Sequence, residues 1–171
     1  MNMERVWAMP NPNTFSIPPI TEFISRWLGG AAVIVDPFAR ESKIATHRND
    51  LNPEVDVEYH LEAAEFCRVL HDRGVIADAV LFDPPYSPRQ MSEVYQKIGV
   101  KGMANTQNAR LYKEVRDGLD SLLRPGGIAL SFGWNSAGFG KVRGYEMLEV
   151  MLVAHGGAHN DTICVAERRT K

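Results

Sequence analysis

The chain has 171 residues, 44% hydrophobic and 23% charged, the size and balance of a domain able to bury its own core. A formal net charge of −2 excludes a surface that is basic throughout, so contact with phosphate requires a local positive patch. No apolar run approaches the roughly 20 residues of a membrane span, and the first residues lack a charged segment followed by an apolar one. These features lead us to expect a cytoplasmic protein without membrane contact. Cys67 and Cys164 fall inside apolar helical and strand patterns, which suits buried free thiols better than a disulfide or a zinc site.

Met1 to Ile20 is rich in Pro and Asn and reads as an extended arm. Thr21 reads as a helix N-cap, followed by Phe23, Ile24, Trp27 and Leu28 at helical spacing and a stop at Gly29-Gly30. Ala31 to Val35 is an almost wholly apolar run without alternation, as in a parallel strand covered on both faces, and it ends in Asp36-Pro37. Lys43 to Thr46 reads as a short strand delivering Asn49 to Pro53 at its tip. Leu61 to His71 has helical periodicity, Ala77 to Phe82 is the next strand, and it too ends in Asp-Pro. Asn108 to Leu123 is a helix carrying Leu111, Val115, Leu119 and Leu122, broken by Pro125-Gly126-Gly127. Ile128 to Phe132 is a strand, and Met147 to Ala154 with Thr162 to Glu167 form a closing hairpin.

Strands separated by helices imply βαβ units and an α/β fold: a mainly parallel sheet flanked by helices, with the hairpin as an antiparallel edge. Neither a repeat nor a linker divides the sequence, so residues 1–171 read as one domain. In such a sheet ligands bind beyond the carboxyl ends of the strands. Asp36-Pro37-Phe38 and Asp83-Pro84-Pro85-Tyr86 both fall on that rim.

Asp83-Pro84-Pro85-Tyr86 carries specific chemistry. An amino group on an aromatic base is a poor nucleophile because its lone pair is delocalised into the ring. A carboxylate and a carbonyl accepting its two N–H bonds favour the tetrahedral nitrogen needed for attack. Asp83 supplies the carboxylate and Pro84 the carbonyl, with Pro85 stiffening the turn. Tyr86 can stack on a base swung out of its helix.

With this motif the chain resembles the amino-methyltransferases, and over Trp7 to Arg169 it is similar to the small, phage-type adenine-N6 DNA methyltransferases. Supporting segments are Asn13 to Ile20, Asp36 to Ala39, Asn49 to Pro53, His60 to Phe66, Leu123 to Gly127 and His155 to Thr162, in that order. The resemblance implies a Rossmann-like class I methyltransferase fold and S-adenosylmethionine as cofactor, leaving S-adenosylhomocysteine as product. It places Asp36, Pro37, Phe38 and Ala39 under the methionine part of the cofactor, and Asp50 or Asn52 on the ribose hydroxyls. Glu62 would face the adenine amine, with Ala63 and Phe66 flanking the ring, while Phe15 and Ile17 close the N-terminal arm over the methionine end. Asp83 to Tyr86 would be catalytic. Arg40 departs from the pattern, because the family usually has a glycine there; a rerouted loop is the expectation, since arginine tolerates positive φ poorly.

The polar stretch from Ser87 to Arg110 carries Arg89, Lys97, Lys101 and Arg110, candidates with Tyr86 for contacting the substrate in a mobile segment. Arg40, Lys141 and Arg143 could add to a positive field. His155 and His159 read as hydrogen-bonding turn residues, Trp134 as packing, and no metal site is expected. The expected substrate is DNA, read with short or lax sequence specificity for want of a separate recognition domain, by a monomer or homodimer. An RNA base amine, or a retired methyltransferase fold that only binds nucleic acid, are the alternatives.

Overall fold

The computed structural model describes residues 1–85, 108–157 and 159–171. Among these, strands β1 (Asn2–Trp7), β2 (Ile34–Asp36), β3 (His47–Arg48), β4 (Ala77–Phe82), β5 (Leu123–Gly133), β6 (Tyr145–Ala154) and β7 (Thr162–Arg169) form one sheet. Its spatial order is β1-β6-β7-β5-β4-β2-β3. All neighbours run parallel except β7, which is antiparallel to both β5 and β6. Among the described residues the α-helices are α1 (Pro18–Leu28), α2 (Ala63–Asp72) and α3 (Asn108–Leu122).

Side chains alternate between two cores, as the twofold period of a strand requires. Ile34, Ala79, Leu81, Leu130, Phe132, Met151 and Val153 face α1, which contributes Ile20, Phe23, Ile24 and Leu28. Val35, Val80, Phe82 and Ala129 face the other way, toward Phe66, Cys67 and Leu70 of α2 and Val115, Leu119 and Leu122 of α3. Each fully buried Leu or Phe contributes about 1.5–3 kcal/mol by leaving water, so the two layers fix the order of the strands. Gly118 lets α2 and α3 approach, since a β-carbon there would lie 2.6 Å from Cβ of Cys67. Cys67 and Cys164 are buried free thiols, as the pattern indicated.

Several boundaries differ from the sequence expectation, among them β5, which begins at Leu123 instead of Ile128 and runs through the Arg124–Gly127 segment expected to break the helix. The N-terminal arm is not extended throughout: Asn2–Trp7 pairs with Glu149–Ala154 of β6, a partner about 147 residues away that local composition does not reveal. Helix α1 begins at Pro18, where a missing N–H costs nothing, so Thr21 lies inside the first turn and its Oγ1 donates to the carbonyls of Phe15 and Ile17. The second short strand is His47–Arg48 instead of Lys43 to Thr46, paired to Val35 and Asp36. The first parallel strand is shifted from Ala31–Val35 to Ile34–Asp36, because the N–H groups of Ala32 and Val33 donate to Asp78 at 3.0 and 2.9 Å.

Asp78 ties three elements together, since its other oxygen accepts from Nε of Arg124 at 2.8 Å. The Arg124 guanidinium, with the two N–H donors, holds the Asp78 carboxyl at about 2, below the ordinary 3.8. A depressed carboxyl stabilises the fold above its unfolded value and loses that contribution as pH falls through the folded value. Asp78→Asn is therefore expected to unfold at lower urea than the parent at pH 7, with the gap closing between 3.8 and about 2. An equal gap at both ends of that range would contradict this role.

Candidate active site

The chain leaves β2 for β3 on one side and then places β4 on the other side of β2, so the strand order reverses between β2 and β4. A crevice opens beyond the carboxyl ends of two strands at such a reversal. Because β1 and β6 run parallel to β5, the segment after Trp7 and the β6–β7 hairpin reach the same rim. Topology alone thus gathers five segments there: the arm from Ala8 to Ile17, the Asp36 turn, the Asp83 turn, Gly133-Trp134 and the hairpin tip.

Asn49 clamps the Asp36 turn. Its Nδ2 donates to the carbonyls of Pro37 and Leu61 at 3.1 and 2.9 Å, its Oδ1 accepts from Leu61 N, and its backbone bonds Asp36 and Ala39. The start of α2 is thereby fixed to the end of β2. At the second turn, the hydroxyl of Tyr112 on α3 donates to the carbonyl of Pro85, and Tyr112 stands edge-on to Phe82 at 6.3 Å.

Three clefts meet at Asp83 and Arg40, which line all of them. Pro37, Phe38, Asp50, Glu62, Ala63 and Pro85 help wall the first. The second lies between Thr14, Phe15 and Ala39 to Ile44. The third lies between Pro12, Ile17, Pro84, Trp134, His159 and Asn160.

The structure therefore brings together Phe15, Ile17, Pro37, Phe38, Ala39, Asp50, Glu62, Ala63, Asp83, Pro84 and Pro85. Phe15 also packs against Phe132, with ring centroids 4.8 Å apart. Asp36 is fully buried behind its turn. Asn52 is not on a cleft wall; its Oδ1 accepts from Glu54 N in a local turn. Phe66 lies below the surface, 5.1 Å from the Tyr59 ring. Arg110 is exposed on α3 and paired with Glu114 at 2.8 Å. Tyr86, Arg89, Lys97 and Lys101 lie outside the described residues. Lys141 and Arg143 do not gather with Arg40: they sit in the return from β5 to β6, at the opposite end of the sheet, where Arg143 pairs with Asp117.

Two residues at the centre were not legible as partners. Thr14 lines the second and third clefts with Asp83, where its hydroxyl favours the charged carboxylate; an isolated threonine in an Asn/Pro-rich arm carries no sequence signal. Trp134, read as packing, is 49% exposed at the end of β5 and borders the third cleft. His155 behaves as a turn residue: Nδ1 lies 2.9 Å from the carbonyl of Ala8 and Nε2 2.9 Å from Oγ1 of Thr162. A carbonyl can only accept, so Nδ1 carries the proton and Nε2 accepts from the threonine. Among the described residues no group of three or more His, Cys, Asp or Glu could hold a metal.

Burial raises the Asp83 carboxyl above its ordinary value, opposed by the charge of Arg40 and the Thr14 hydroxyl. Asp36 is pushed up to about 7, mainly by burial and further by the nearby carboxylates of Asp83 and Asp50. Its Oδ1 accepts from Phe38 N at 2.9 Å, while Oδ2 has no hydrogen-bond partner among the described residues.

The expected rerouting at Arg40 does not occur. Arg40 keeps the tight turn and adopts φ +48°. Its N–H donates to Asp50 Oδ2 at 3.1 Å and Nη1 to the carbonyl of Pro12 at 2.7 Å, and these bonds hold the strained backbone in place.

Replacing Arg40 by alanine loses the Pro12 bond and keeps the strain, whereas glycine loses the same bond and relieves it. Arg40→Gly is expected to exceed Arg40→Ala by about 1 kcal/mol in chemical denaturation; equal stabilities would show an unstrained turn. For Asp36, a raised carboxyl costs stability as pH climbs from 3.8 through about 7. Asp36→Asn is expected to raise the melting temperature at pH 8 relative to the parent and to leave it nearly unchanged at pH 4. A gain independent of pH would refute the buried charge as its cause.

No family model matches the chain, and neither does any curated protein. Solved structures do. TrmN from Thermus thermophilus aligns with a TM-score of 0.57 at 14% identity, covering 90% of this chain and 49% of that one. NSun6 from Pyrococcus horikoshii with SFG aligns at 0.57 and 15% identity, covering 86% and 50%. SMU.776 complexed with SAH aligns at 0.50 and 11%, covering 86% and 48%. The chain thus spans about half the length of each structure it matches. What these likenesses carry is the fold: a Rossmann-like methyltransferase sheet, mostly parallel with an antiparallel C-terminal pair and flanked by helices.

Proposed function

We propose that the chain transfers a methyl group from S-adenosylmethionine to the exocyclic N6 amine of adenine in DNA. The observation that carries this reading is the position of Asp83, buried at the end of β4 where three clefts converge and followed by two prolines that stiffen the turn. The resemblance to adenine-N6 methyltransferases supports the choice of amine, and two of the aligned structures hold SFG or SAH.

The residues present fit such a cofactor. In the first cleft the Asp50 and Glu62 carboxylates can accept from ribose hydroxyls and an adenine amine, between apolar walls of Phe38, Leu61 and Ala63. The Oδ2 of Asp36, partnerless among the described residues, and the carboxylate of Asp83 give the centre a negative field that suits a cationic donor. The cofactor supplies an electrophilic methyl carbon.

The chain's own residues do the rest. A carboxylate has several acceptor lone pairs, so Asp83, beside Thr14, keeps capacity for an N–H of the incoming amine. Pro84 lines the third cleft, and its carbonyl would accept the second N–H. The base enters through the third cleft, where the half-exposed Trp134 offers a stacking surface. With the donor bound, a nitrogen–carbon bond would form as the donor's carbon–sulfur bond broke; the Asp83 carboxylate would stabilise the positive charge developing on nitrogen, and that nitrogen would then release a proton to solvent.

Tritiated methyl donor, incubated separately with DNA and RNA and followed by nucleoside analysis, tests the proposal. Label in N6-methyl-2′-deoxyadenosine from DNA is expected; label confined to RNA would move the substrate to RNA, and none in either would refute the activity. Asp83→Ala is expected to lower transfer at least about a thousandfold while keeping the circular dichroism spectrum, and wild-type turnover by that variant would refute the assignment. Because the carboxylate must be ionised to accept an N–H, the acid limb of kcat/KM is expected above the ordinary carboxylate value, in the direction burial shifts Asp83.

A further inference from the structure

Strand β1 lies at one end of the sheet, and among the described residues no strand pairs with its outer side. Val6 packs into the core under α1, and Asn2 donates to Glu149 on that same face. Side chains alternate along a strand, so the odd-numbered residues point to the opposite face. These are Met1, Met3, Arg5, Trp7 and Met9, and the four apolar ones are 77%, 71%, 64% and 67% exposed. Met3 and Arg5 stand in register with Val150 and Leu152 of β6, half-buried residues that belong to neither core, so the apolar surface continues onto β6.

The backbone follows the same alternation. Ala8 N–H donates to the carbonyl of Ala154, at the end of β6, at 3.1 Å. In a parallel ladder, residues bonded to one neighbour alternate with residues directed away from it, so Met3, Arg5 and Trp7 aim their N–H and C=O groups outward. The stripe is also symmetric about Arg5: a reversed copy sets Met3 opposite Trp7 and Met1 opposite Met9.

We propose that β1 pairs antiparallel with β1 of a second copy of this chain, across a twofold axis at Arg5, joining the two sheets into one. A twofold axis requires a surface that complements itself, and here side chains and backbone do so together. The Arg5 pair exchanges two backbone hydrogen bonds and each Met3–Trp7 pair two more, as outward-directed residues do in an antiparallel ladder. The four apolar side chains expose roughly 600 Å² per copy, so pairing covers about 1,200 Å², the lower limit of a stable interface. The register centred on Glu4 instead sets Arg5 opposite Met3 and Glu4 opposite Glu4, and matches fewer apolar pairs. Arg5 facing Arg5 opposes association, as charges on an edge strand do. At cross-strand separation in water that repulsion weakens binding only about threefold, so the dimer forms reversibly. The inference is independent of the catalytic reading.

Sedimentation velocity of the full chain from about 1 to about 200 µM tests it, with circular dichroism and thermal unfolding to confirm that each variant is folded. Wild type is expected to pass reversibly from monomer to dimer over that range. Met3→Lys and Trp7→Lys, at exposed positions on the pairing edge, are each expected to weaken dimerisation at least about tenfold. Arg5→Thr is expected to tighten it about threefold or more, whereas Glu4→Thr, which also raises strand propensity, changes it less than about twofold. A chain that stays monomeric throughout, or a dimer indifferent to the folded lysine variants, would overturn the proposal. Tightening by Glu4→Thr in place of Arg5→Thr would overturn the pairing centred on Arg5.

Discussion

Two carboxylates buried at the ends of neighbouring parallel strands constrain everything around them. Asp36 ends β2 and Asp83 directly follows β4, strands that pair with each other, and the Asp83 carboxylate raises the energy of charging Asp36. Burial strips most of their water, and the chain answers with specific groups: Phe38 N–H on Asp36, the Thr14 hydroxyl near Asp83, and the charge of Arg40 acting on both. One oxygen of Asp36 is left without a partner among the described residues. A fold that keeps two carboxylates in this condition is held together by something else, namely the two apolar layers on either face of the sheet.

The machinery that positions these groups is made mostly of neutral hydrogen bonds. Asn49 satisfies its whole amide on the loops flanking β2 and α2, and Tyr112 does the same service for Pro85 from α3. His155 and Thr162 tie the hairpin to Ala8, so the arm that lies over the clefts is anchored at its start. Buried and fully partnered, such groups fix geometry without adding net charge to an already acidic centre.

Much of this was legible in the sequence where the signal is local. The strand Ala77–Phe82, the helix ended by Gly29, the helix over Asn108–Leu122 and the closing hairpin follow from periodicity and turn chemistry, whereas Pro125, expected to break that helix, lies inside β5. Both Asp-Pro turns were placed on one rim because each follows an apolar run. What escaped was non-local. Nothing near Asn2–Trp7 announces β6 as its partner, and nothing near Thr14 announces Asp83. Arg40 was legible as a departure, but its consequence was not: the backbone accepted a left-handed arginine because Asp50 and Pro12 compensate for the strain, and those partners come from other segments.

The central claim is that the methyl donor lies across the first and second clefts with its sulfur at the Asp83 junction. A crystal structure of the chain grown with S-adenosylhomocysteine addresses it most directly. The account predicts the ligand's ribose beside Asp50, its adenine beside Glu62 and its sulfur in the cleft junction facing Asp83. Density for the ligand anywhere that leaves Asp83 out of reach of the sulfur would contradict it.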